Sequence, residues 1–325
     1  MEVPRVPEQV RPSGGAHVRP VQVPASHADL LDRPLDAVLT TEMPDGRLQS
    51  TVVWFSRDHA DVLVNTMREF QKARNLRDRP RATLLVTEPP NTDRWIEIRG
   101  TVTMQDAGAG EHLDSLARAY AGAEHYFGDV IPATFAETEH PVLCRITPVV
   151  VIVGPSSVGL RDARQAAPSF PPSVPCRNEP AIPESHRSLL ERPLLAAFST
   201  RLRFGAQTHP TWFELDGNDV LVNTTPDRSK GRNLVRDPRA TVLVVDPEDS
   251  TRWIEIRGDA GLETEGAIEQ LDRVTRRYTR HPAFYGFVYP EERRARETRI
   301  IARIHPRRIN VLTPRPEHTL PESAH

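Results

Sequence analysis

Two stretches of the chain, "DVLVNTMREFQKARNLRDRPRATLLV" at residues 61–86 and "DVLVNTTPDRSKGRNLVRDPRATVLV" at residues 219–244, are versions of one sequence. They contain the only two lysines, Lys72 and Lys230, among 42 basic residues. The similarity extends outward, since 27 of the 47 residues in 54–100 are identical to the residues 158 positions later, without a gap. Shared composition does not produce such a match, so the chain contains an internal duplication.

The duplication predicts how the 325 residues are divided, because this length suits two domains with a core each. Segments rich in proline and small polar residues cannot hold a packed core, which predicts a semi-rigid linker between the repeats. The expected divisions are a disordered tail at 1–25, repeat 1 at 26–153, a Pro/Ser-rich linker at 154–183, repeat 2 at 184–313 and a second tail at 314–325.

Each repeat shows the same order of predicted elements. A short helix comes first, with Ser26 as its N-cap in repeat 1, and it stops before a proline in both repeats. Five or six strand-like segments follow, and a "PDG" turn at 44–46 makes a hairpin of the first two, the second being "RLQSTVVWFS" at 47–56. Antiparallel strands with short helices indicate a mainly β fold, in which each repeat is a small barrel or closed sheet.

Charge and cysteine content exclude several functions. The formal net charge is −2 with both signs interspersed, which argues against nucleic-acid and membrane-surface partners. No apolar run approaches the roughly 20 residues of a spanning helix, and the N-terminus lacks the apolar segment of a signal peptide. Cys144 and Cys176 are too few for a disulfide scaffold and lack metal-ligand spacing, so no metal is expected. We therefore expect a cytoplasmic, reduced and soluble protein.

The segment around Lys230 has the features of an anion site. Thr225 suits the N-cap and Pro226 the first position of a helix, whose free N–H groups and positive dipole end attract phosphate. Lys230 and Asn233 share a face of this helix, and lysine offers a mobile point charge with three donors. Arg228 lies two residues before Lys230, which is roughly 200° around an ideal helix. It can therefore contact the same anion only if it belongs to a looser turn before the helix. The alternative, that both lysines are solvated residues copied by the duplication, stays open.

These residues carry a resemblance to a known family. The motif R-x-K-x-R-N-L-x-R-D-P-R-A at residues 228–240 resembles that of the pyridoxamine 5′-phosphate oxidase-like split barrels. It is most similar to their branch that uses the deazaflavin coenzyme F420, the B group of flavin and deazaflavin oxidoreductases. The resemblance covers residues 26–153 and 184–313, and it implies two tandem FMN-binding-type split β-barrels. These would pair as an intramolecular pseudo-dimer with one or two cofactor sites between them; whether two chains also associate stays open.

The resemblance also implies which residues bind the cofactor. In that family this segment holds the cofactor phosphate, and the ring system lies over the strand equivalent to "HPTWFEL" at 209–215. The cofactor-binding residues implied for repeat 2 are Arg228, Lys230, Arg232, Asn233 and Trp212. Those implied for repeat 1 are Lys72, Arg74, Asn75 and Trp54. Phe70 stands where repeat 2 has Arg228, so the first site would bind the cofactor weakly or only complete the second.

Other candidates are less specific. Trp95 and Trp253, in the repeated "RWIEIRG", are expected to be packing residues. Trp54 and Trp212 could likewise be core residues rather than cofactor contacts. His209 has Thr51 as its counterpart; it could donate a proton, but a hydrogen-bonded surface role suits a single unmatched histidine. The mixed charges of "EERRARETR" at 291–299 predict a solvated helix or turn. No catalytic residue is identified.

The resemblance therefore implies an F420-dependent reductase that transfers a hydride to an activated C=C or C=N bond of a small organic substrate. Similar proteins include reductases that tailor polyketides such as tetracyclines, so the resemblance extends to a role in antibiotic biosynthesis. Two alternatives stay open. One is an FMN-dependent oxidoreductase of the pyridoxamine phosphate oxidase type, although the R-x-V-L-L-K segment of FMN-using oxidases is absent. The other is a non-catalytic protein that binds a flavin, deazaflavin or tetrapyrrole.

Overall fold

The computed structural model describes residues 21–89, 94–154, 170 and 179–312. Three predicted segments lie wholly or largely outside these residues: the tail at 1–25, the linker at 154–183, which contains Cys176, and the tail at 314–325. No helix within the described ranges is both long enough and apolar enough to cross a membrane.

Repeat 1 is one seven-stranded antiparallel sheet with helices packed against it. Its strands are β1 (Ala37–Glu42), β2 (Leu48–Val53), β3 (Phe55–Asp58), β4 (Asp61–Met67), β5 (Arg81–Thr87), β6 (Trp95–Gln105) and β7 (Pro141–Gly154). Its α-helices are α1 (Gln71–Asp78) and α2 (Ala109–Ala121), with 3-10 helices at Ala25–Leu31 and Ala133–Glu137 and an irregular turn at Tyr126–Val130. The strand order is β2-β1-β5-β6-β7-β4-β3.

Repeat 2 has the same architecture. Its strands are β8 (Ala196–Arg201), β9 (Ala206–Thr211), β10 (Glu214–Asp216), β11 (Asp219–Thr224), β12 (Arg239–Asp246), β13 (Asp249–Glu263) and β14 (Ile300–Leu312). Its helices are α3 (Glu184–Glu191), α4 (Ser229–Arg236), α5 (Ala267–Thr279) and a 3-10 turn at Glu291–Arg293. The strand order β10-β11-β14-β13-β12-β8-β9 is that of repeat 1 read from the opposite edge.

Each sheet has a strand break at a matched tryptophan, and the short connection there requires the sheet to curl. The predicted continuous strand at 47–56 is broken at Trp54 into β2 and β3, and Trp212 and Phe213 separate β9 from β10. This gives seven strands, where five or six were predicted. Because β2 and β3 lie at opposite edges, a flat sheet would separate them by about 29 Å, whereas one intervening residue spans roughly 7 Å. Each sheet is therefore rolled into a half-barrel, as the mainly β prediction required.

The repeated "RWIEIRG" ends in glycine for a steric reason. The register of β6 against β7 shifts at Gly100, and that of β13 against β14 shifts at Gly258. A Cβ atom at Gly100 would lie 2.5 Å from the carbonyl oxygen of Thr147, and one at Gly258 would lie 2.4 Å from that of His305. No side chain fits these contacts, so glycine permits the bulge at which the long strand bends.

The opening helix of repeat 1 differs from the prediction, whereas that of repeat 2 is the α-helix expected before Pro193. In repeat 1 the helix is a 3-10 helix with Pro24 as its N-cap, and Ser26 does not cap it but lies 2.9 Å from His27 Nδ1. His27 is buried, and its Nε2 donates to the carbonyl oxygen of Gly154 at 2.7 Å. His186 makes the equivalent bond in repeat 2, to the end of β14, at 2.9 Å. A buried histidine thus fastens each opening helix to the last strand of its repeat.

Four buried hydroxyl groups join the two sheets. Thr40 and Ser50 come from repeat 1, and Ser199 and Thr208 come from repeat 2; each is at most 1 % exposed. Thr40 Oγ1 lies 3.2 Å from Ser199 Oγ and 3.0 Å from Thr208 Oγ1, and Ser50 Oγ lies 3.1 Å from Ser199 Oγ. Hydroxyls both donate and accept, so the cluster satisfies its own polar groups at the centre of the seam.

Two buried carboxylates cross the same seam in opposite directions. Glu97 Oε1 accepts the backbone N–H of Thr208, and Glu255 Oε1 accepts that of Ser50, both at 2.7 Å. Each carboxylate also forms two hydrogen bonds with the arginine two residues later in its own repeat. Equivalent contacts made in both directions are the pattern of a two-fold interface, consistent with the predicted pseudo-dimer.

Replacing Glu255 with alanine tests the seam. The change leaves Arg257, which is 5 % exposed, without its carboxylate and removes the acceptor of the Ser50 N–H. Breaking a buried pair costs about 3–5 kcal/mol, so we expect the free energy of unfolding in denaturant to fall by that amount. Glu124→Ala breaks an exposed pair with Arg118 and should cost less than about 1 kcal/mol. Equal losses in the two variants would show that the seam does not depend on the carboxylate.

Candidate functional site

Helix α4, which carries Lys230, begins later than predicted. Thr225 and Pro226 were expected to start it, but its first residue is Ser229, and its N-cap is Arg228 with an extended backbone (φ −73°, ψ 153°). Thr225 instead opens a turn in which the backbone N–H of Arg228 donates to the Thr225 carbonyl oxygen at 3.2 Å. Arg228 thus belongs to the opening turn, the one position from which it was expected to share an anion with Lys230.

A glycine allows this turn to pack on the helix. A Cβ atom at Gly231 would lie 2.1 Å from the carbonyl oxygen of Thr225, so any side chain would displace the turn. Repeat 1 has a buried alanine, Ala73, at the equivalent position, after a turn of different sequence. The placement of Arg228 is therefore specific to repeat 2.

A cleft of about 200 Å³ lies around the start of α4. Arg228, Lys230 and Arg299 contribute three cationic side chains to it. Trp95 comes from repeat 1, so the cleft lies between the two repeats. The other lining residues are Leu195, Pro210, Thr211, Trp212, Asn223, Leu271, Val274 and Phe284. The structure thus brings together Arg228, Lys230 and Trp212 of the predicted set.

The ammonium group of Lys230 is desolvated and lacks a counter-ion. Its Nζ donates to Thr211 Oγ1 at 3.2 Å, and no carboxylate of the described chain lies within 4 Å of it. Burial, followed by the positive charges of Arg228 and Arg299, lowers the pKa of Lys230 to about 7, although part of the side chain remains accessible. The negative charge of a bound anion would counteract the lowered pKa, since it favours the charged form of the lysine.

The two arginines of the cleft differ in how firmly they are held. Arg299 is 5 % exposed, and it donates to Glu297 Oε2 at 2.6 Å and to the Tyr285 hydroxyl at 2.8 Å. The nearest contact of the Arg228 guanidinium is Glu297 Oε1 at 3.9 Å, which is too long for a hydrogen bond. It lies over the ring of Tyr289 at 6.0 Å and donates no hydrogen bond to any described residue. Arg228 therefore has its donors free for a ligand.

The segment 291–299 is only in part the solvated turn that its mixed charges predicted, since five of its nine residues are exposed but three of its charged side chains are not. Its side chains Arg293, Glu297 and Arg299 are between 3 % and 19 % exposed and form one ion-paired cluster. The pairing of β11 with β14 places Ile300 opposite Thr224, so this segment enters β14 beside the turn that holds Arg228. Sequence reasoning missed these residues, because they lie some 70 positions from Lys230.

Repeat 1 keeps the lysine but none of the arginines around it. Lys72 Nζ lies 3.5 Å from Thr51 Oγ1 and 5.9 Å from the centre of the Phe70 ring, and burial lowers its pKa to about 8. The positions equivalent to Arg228, Arg293 and Arg299 are occupied by Phe70, Phe135 and Pro141. This difference could be read from the sequence by comparing the repeats position by position.

Two pairs of predicted cofactor residues lie away from the cleft. Asn233 is buried, and its two amide hydrogens are donated to Thr200 Oγ1 at 3.0 Å and Gln207 Oε1 at 2.9 Å; Asn75 makes equivalent bonds in repeat 1. These bonds anchor α4 and α1 to their sheets. Arg74 and Arg232 are exposed, and each donates to the backbone carbonyl group five residues earlier.

The four tryptophans occupy two kinds of position. Trp54 and Trp212 each stack on a tyrosine of the long helix in their own repeat, with ring centres 5.1 and 5.4 Å apart, and Trp212 lines the cleft. Trp95 and Trp253 pack with apolar residues of both repeats around Leu85 and Leu243. Trp95 is therefore both a packing residue, as predicted, and a wall of the cleft.

His209 lies near the cleft as a neutral ring. Its Nε2 accepts a hydrogen bond from the Gln207 amide, and its Nδ1 is 3.8 Å from Glu97 Oε2. Burial, followed by the charge of Lys230, lowers its pKa to about 3. Its ring meets the edge of Trp95 with the ring centres 5.1 Å apart. Without an imidazolium form near neutral pH the ring has a hydrogen-bonding role, and its part in catalysis stays a prediction.

One cluster of metal-type donors lies on repeat 2, where the sequence predicted no metal. Donor atoms of Glu179, Asp219 and His305 lie within 4.8 Å of one another. His305 Nδ1 is 3.0 Å from Asp219 Oδ1, and Arg303 donates to Asp219 Oδ2 at 3.3 Å. An arginine already supplies positive charge to this carboxylate, so the cluster is explained as an ion-pair network.

Several solved structures are similar to parts of the chain. An F420 reductase is 27 % identical, with 40 % of this chain and 98 % of that one covered and a TM-score of 0.35. The conserved hypothetical protein Rv2991 from Mycobacterium tuberculosis is 24 % identical (44 % and 96 % covered, TM-score 0.33). The heme storage protein HutZ from Vibrio cholerae is 15 % identical (41 % and 96 % covered, TM-score 0.32). At TM-scores this low, none of them identifies a function for this chain.

The family comparison covers most of the chain. No curated protein matches it significantly. Residues 23–149 and 182–313 both match the family model described as pyridoxamine 5′-phosphate oxidase. The first range covers the repeat 1 sheet up to the middle of β7, and the second covers the whole repeat 2 sheet. The chain therefore belongs to the pyridoxamine 5′-phosphate oxidase family and carries its domain twice.

Proposed function

We propose that the cleft beside Lys230 binds coenzyme F420 and that the chain is an F420-dependent reductase of small organic molecules. The observation that carries the proposal is a pair of cations with unused donors, Lys230 and Arg228, in a cleft lined by both repeats. Within the family, the motif at 228–240 supports F420 rather than FMN. The bond reduced would be an activated C=C or C=N bond.

A phosphate group fits the charges of the cleft. Lys230 uses one of its three donors on Thr211, and Arg228 donates no hydrogen bond to a described side chain. Cations held in a desolvated site without partners are costly, and charge-assisted hydrogen bonds to phosphate remove that cost. The non-bridging oxygens of one phosphate can bond to an ammonium and a guanidinium together. Arg299, fixed by Glu297, adds a third positive charge to the same wall.

The remaining walls suit an aromatic ring system. Trp212, Phe284 and Trp95 present flat apolar surfaces next to the cations. The volume of about 200 Å³ is below the roughly 300–1,000 Å³ of typical small-molecule sites, so the cleft encloses one end of a cofactor. When bound, the deazaflavin supplies the hydride chemistry. The chain's own residues grip the phosphate, orient the ring and keep water out.

The proposed stoichiometry is one cofactor per chain. Repeat 1 has Lys72, but Phe70 and Pro141 replace the two arginines that line the repeat 2 cleft. A lone desolvated ammonium offers a phosphate fewer charge-assisted bonds than a cluster of three cations. Repeat 1 would then serve the site by supplying Trp95.

Titration of the purified chain with F420 and with FMN, in wild type and two lysine variants, tests the site. Truncating one member of a buried charged pair costs about 2–5 kcal/mol, so Lys230→Ala should weaken F420 binding by at least about 30-fold. Lys72→Ala is the matched control and should change the Kd less than about threefold. Equal losses would mean two working sites, and no loss in either variant would exclude the lysines from cofactor binding. Tighter binding of FMN would favour the FMN alternative.

The pH dependence of F420 binding should report on Lys230. Its pKa in the free protein is about 7, and a bound phosphate raises it, so binding above pH 7 takes up a proton. Below pH 7 the lysine is already charged and contributes no dependence. Between pH 7 and 9 the affinity should fall by up to about tenfold per pH unit, whereas Lys230→Arg, which stays charged, should show a flatter profile. Identical profiles for both proteins would contradict this assignment.

Turnover distinguishes an enzyme from a carrier. Protein produced in a host without F420 should be colourless, because the proposal gives it no resident FMN. With reduced F420 added, a panel of activated C=C and C=N acceptors should be reduced at rates that fall with Lys230→Ala in proportion to cofactor binding. Protein that emerges yellow with FMN would contradict the cofactor assignment. Tight F420 binding without reduction of any acceptor would favour the non-catalytic alternative.

A further inference from the structure

Glu297 places a carboxylate among three arginines beside the cleft. Its Oε2 accepts from Arg299 Nη2 at 2.6 Å and from the Tyr285 hydroxyl at 2.7 Å. Its Oε1 lies 3.4 Å from Arg293 Nη1 and 3.9 Å from Arg228 Nη2. One oxygen of this carboxylate is therefore firmly bound, whereas the other is shared loosely between two cations.

The positive charge at this wall exceeds what Glu297 neutralises. Arg228, Arg293 and Arg299 all pair with this one carboxylate, and Lys230 has no carboxylate within 4 Å among the residues that the structure describes. Four cations thus face one anion, and three of them line the cleft. The arrangement attracts a second anion, yet a ligand that contacts Arg228 must share it with Glu297.

The arginines, and not the glutamate, distinguish repeat 2. Repeat 1 has Glu139 at the position equivalent to Glu297, but Phe70, Phe135 and Pro141 stand where repeat 2 has its three arginines. The three arginines are therefore particular to the repeat 2 site, where Arg228 is the N-cap of the lysine-bearing helix.

We propose that Glu297 is an internal anion, whose Oε1 holds the place on Arg228 and Arg293 that an oxygen of the ligand's phosphate takes on binding. The inference rests on the proposed anion site at Lys230 and adds a specificity determinant to it. A ligand carboxylate that reaches only Arg228 gains little, because the negative charge of Glu297 Oε1, 3.9 Å from Arg228 Nη2, repels it. A phosphate that reaches Lys230 and Arg228 together gains a contact that Glu297 does not make.

The test measures the binding of inorganic phosphate to the full chain, free of cofactor, by the shift of its thermal unfolding midpoint with phosphate concentration. Glu297→Gln removes the charge and keeps an acceptor for Arg299 and the Tyr285 hydroxyl. We expect it to bind phosphate at least roughly tenfold more tightly than wild type, since a like charge near the ligand is removed. Glu291→Gln makes the same charge change at an exposed residue, 60 % accessible, and should stay within about twofold.

The outcomes distinguish two roles of Glu297: it holds the place of a ligand oxygen on Arg228 and Arg293, or it only holds Arg299. Because every variant is compared with its own midpoint without phosphate, a lower starting stability of Glu297→Gln does not hide its affinity. Unchanged or weaker binding in this variant, with normal binding in wild type, would overturn the inference, because Glu297 would then only hold Arg299. The anion site itself would stand in that case. Wild-type binding that Lys230→Ala does not weaken would instead overturn the proposed site and the inference with it.

Discussion

The site depends on the buried carboxylate of Glu97, which binds repeat 1 to a backbone amide of repeat 2. Glu97 lies two residues after Trp95 on β6, so one short stretch of strand both docks the repeats and places Trp95 in the cleft. Its partner on β9, Thr208, precedes Thr211, the hydroxyl that receives Lys230, by three residues. The pairing of the two repeats at the seam therefore sets the distance between Trp95 of repeat 1 and the cations of repeat 2.

The seam and the cleft differ in whether their buried charges are paired. At the seam, Glu97 and Glu255 are fully buried, and each is paired with an arginine and a backbone amide, as the low dielectric constant of an interior requires. In the cleft, Lys230 donates to the hydroxyl of Thr211, and the carboxylate of Glu297 lies 3.9 Å from Arg228. A fold that pairs its buried charges at one place and leaves cations unpaired a few residues away has the physical character of a binding site.

The sequence predicted the duplication, the mainly β fold and the lysine-bearing helices, since local pattern and internal repetition encode these features. It did not predict the break at Trp54, because that break results from the closure of the sheet rather than from local preference. Nor did it predict that Arg299 and Glu297 join Lys230, since the pairing of β11 with β14 brings them there. The mixed charge of residues 291–299 is typical of a solvated segment. The sequence feature that sets Arg299 apart is that repeat 1 has Pro141 at the equivalent position.

We propose one anion site per chain, at Lys230 between the repeats. A crystal structure of the chain with F420 tests it most directly. We predict a single cofactor, with phosphate oxygens within hydrogen-bond distance of Lys230 Nζ and the Arg228 guanidinium and with Trp95 of repeat 1 beside it. A cofactor whose phosphate lies at Lys72, or on a surface that only one repeat forms, would contradict the claim.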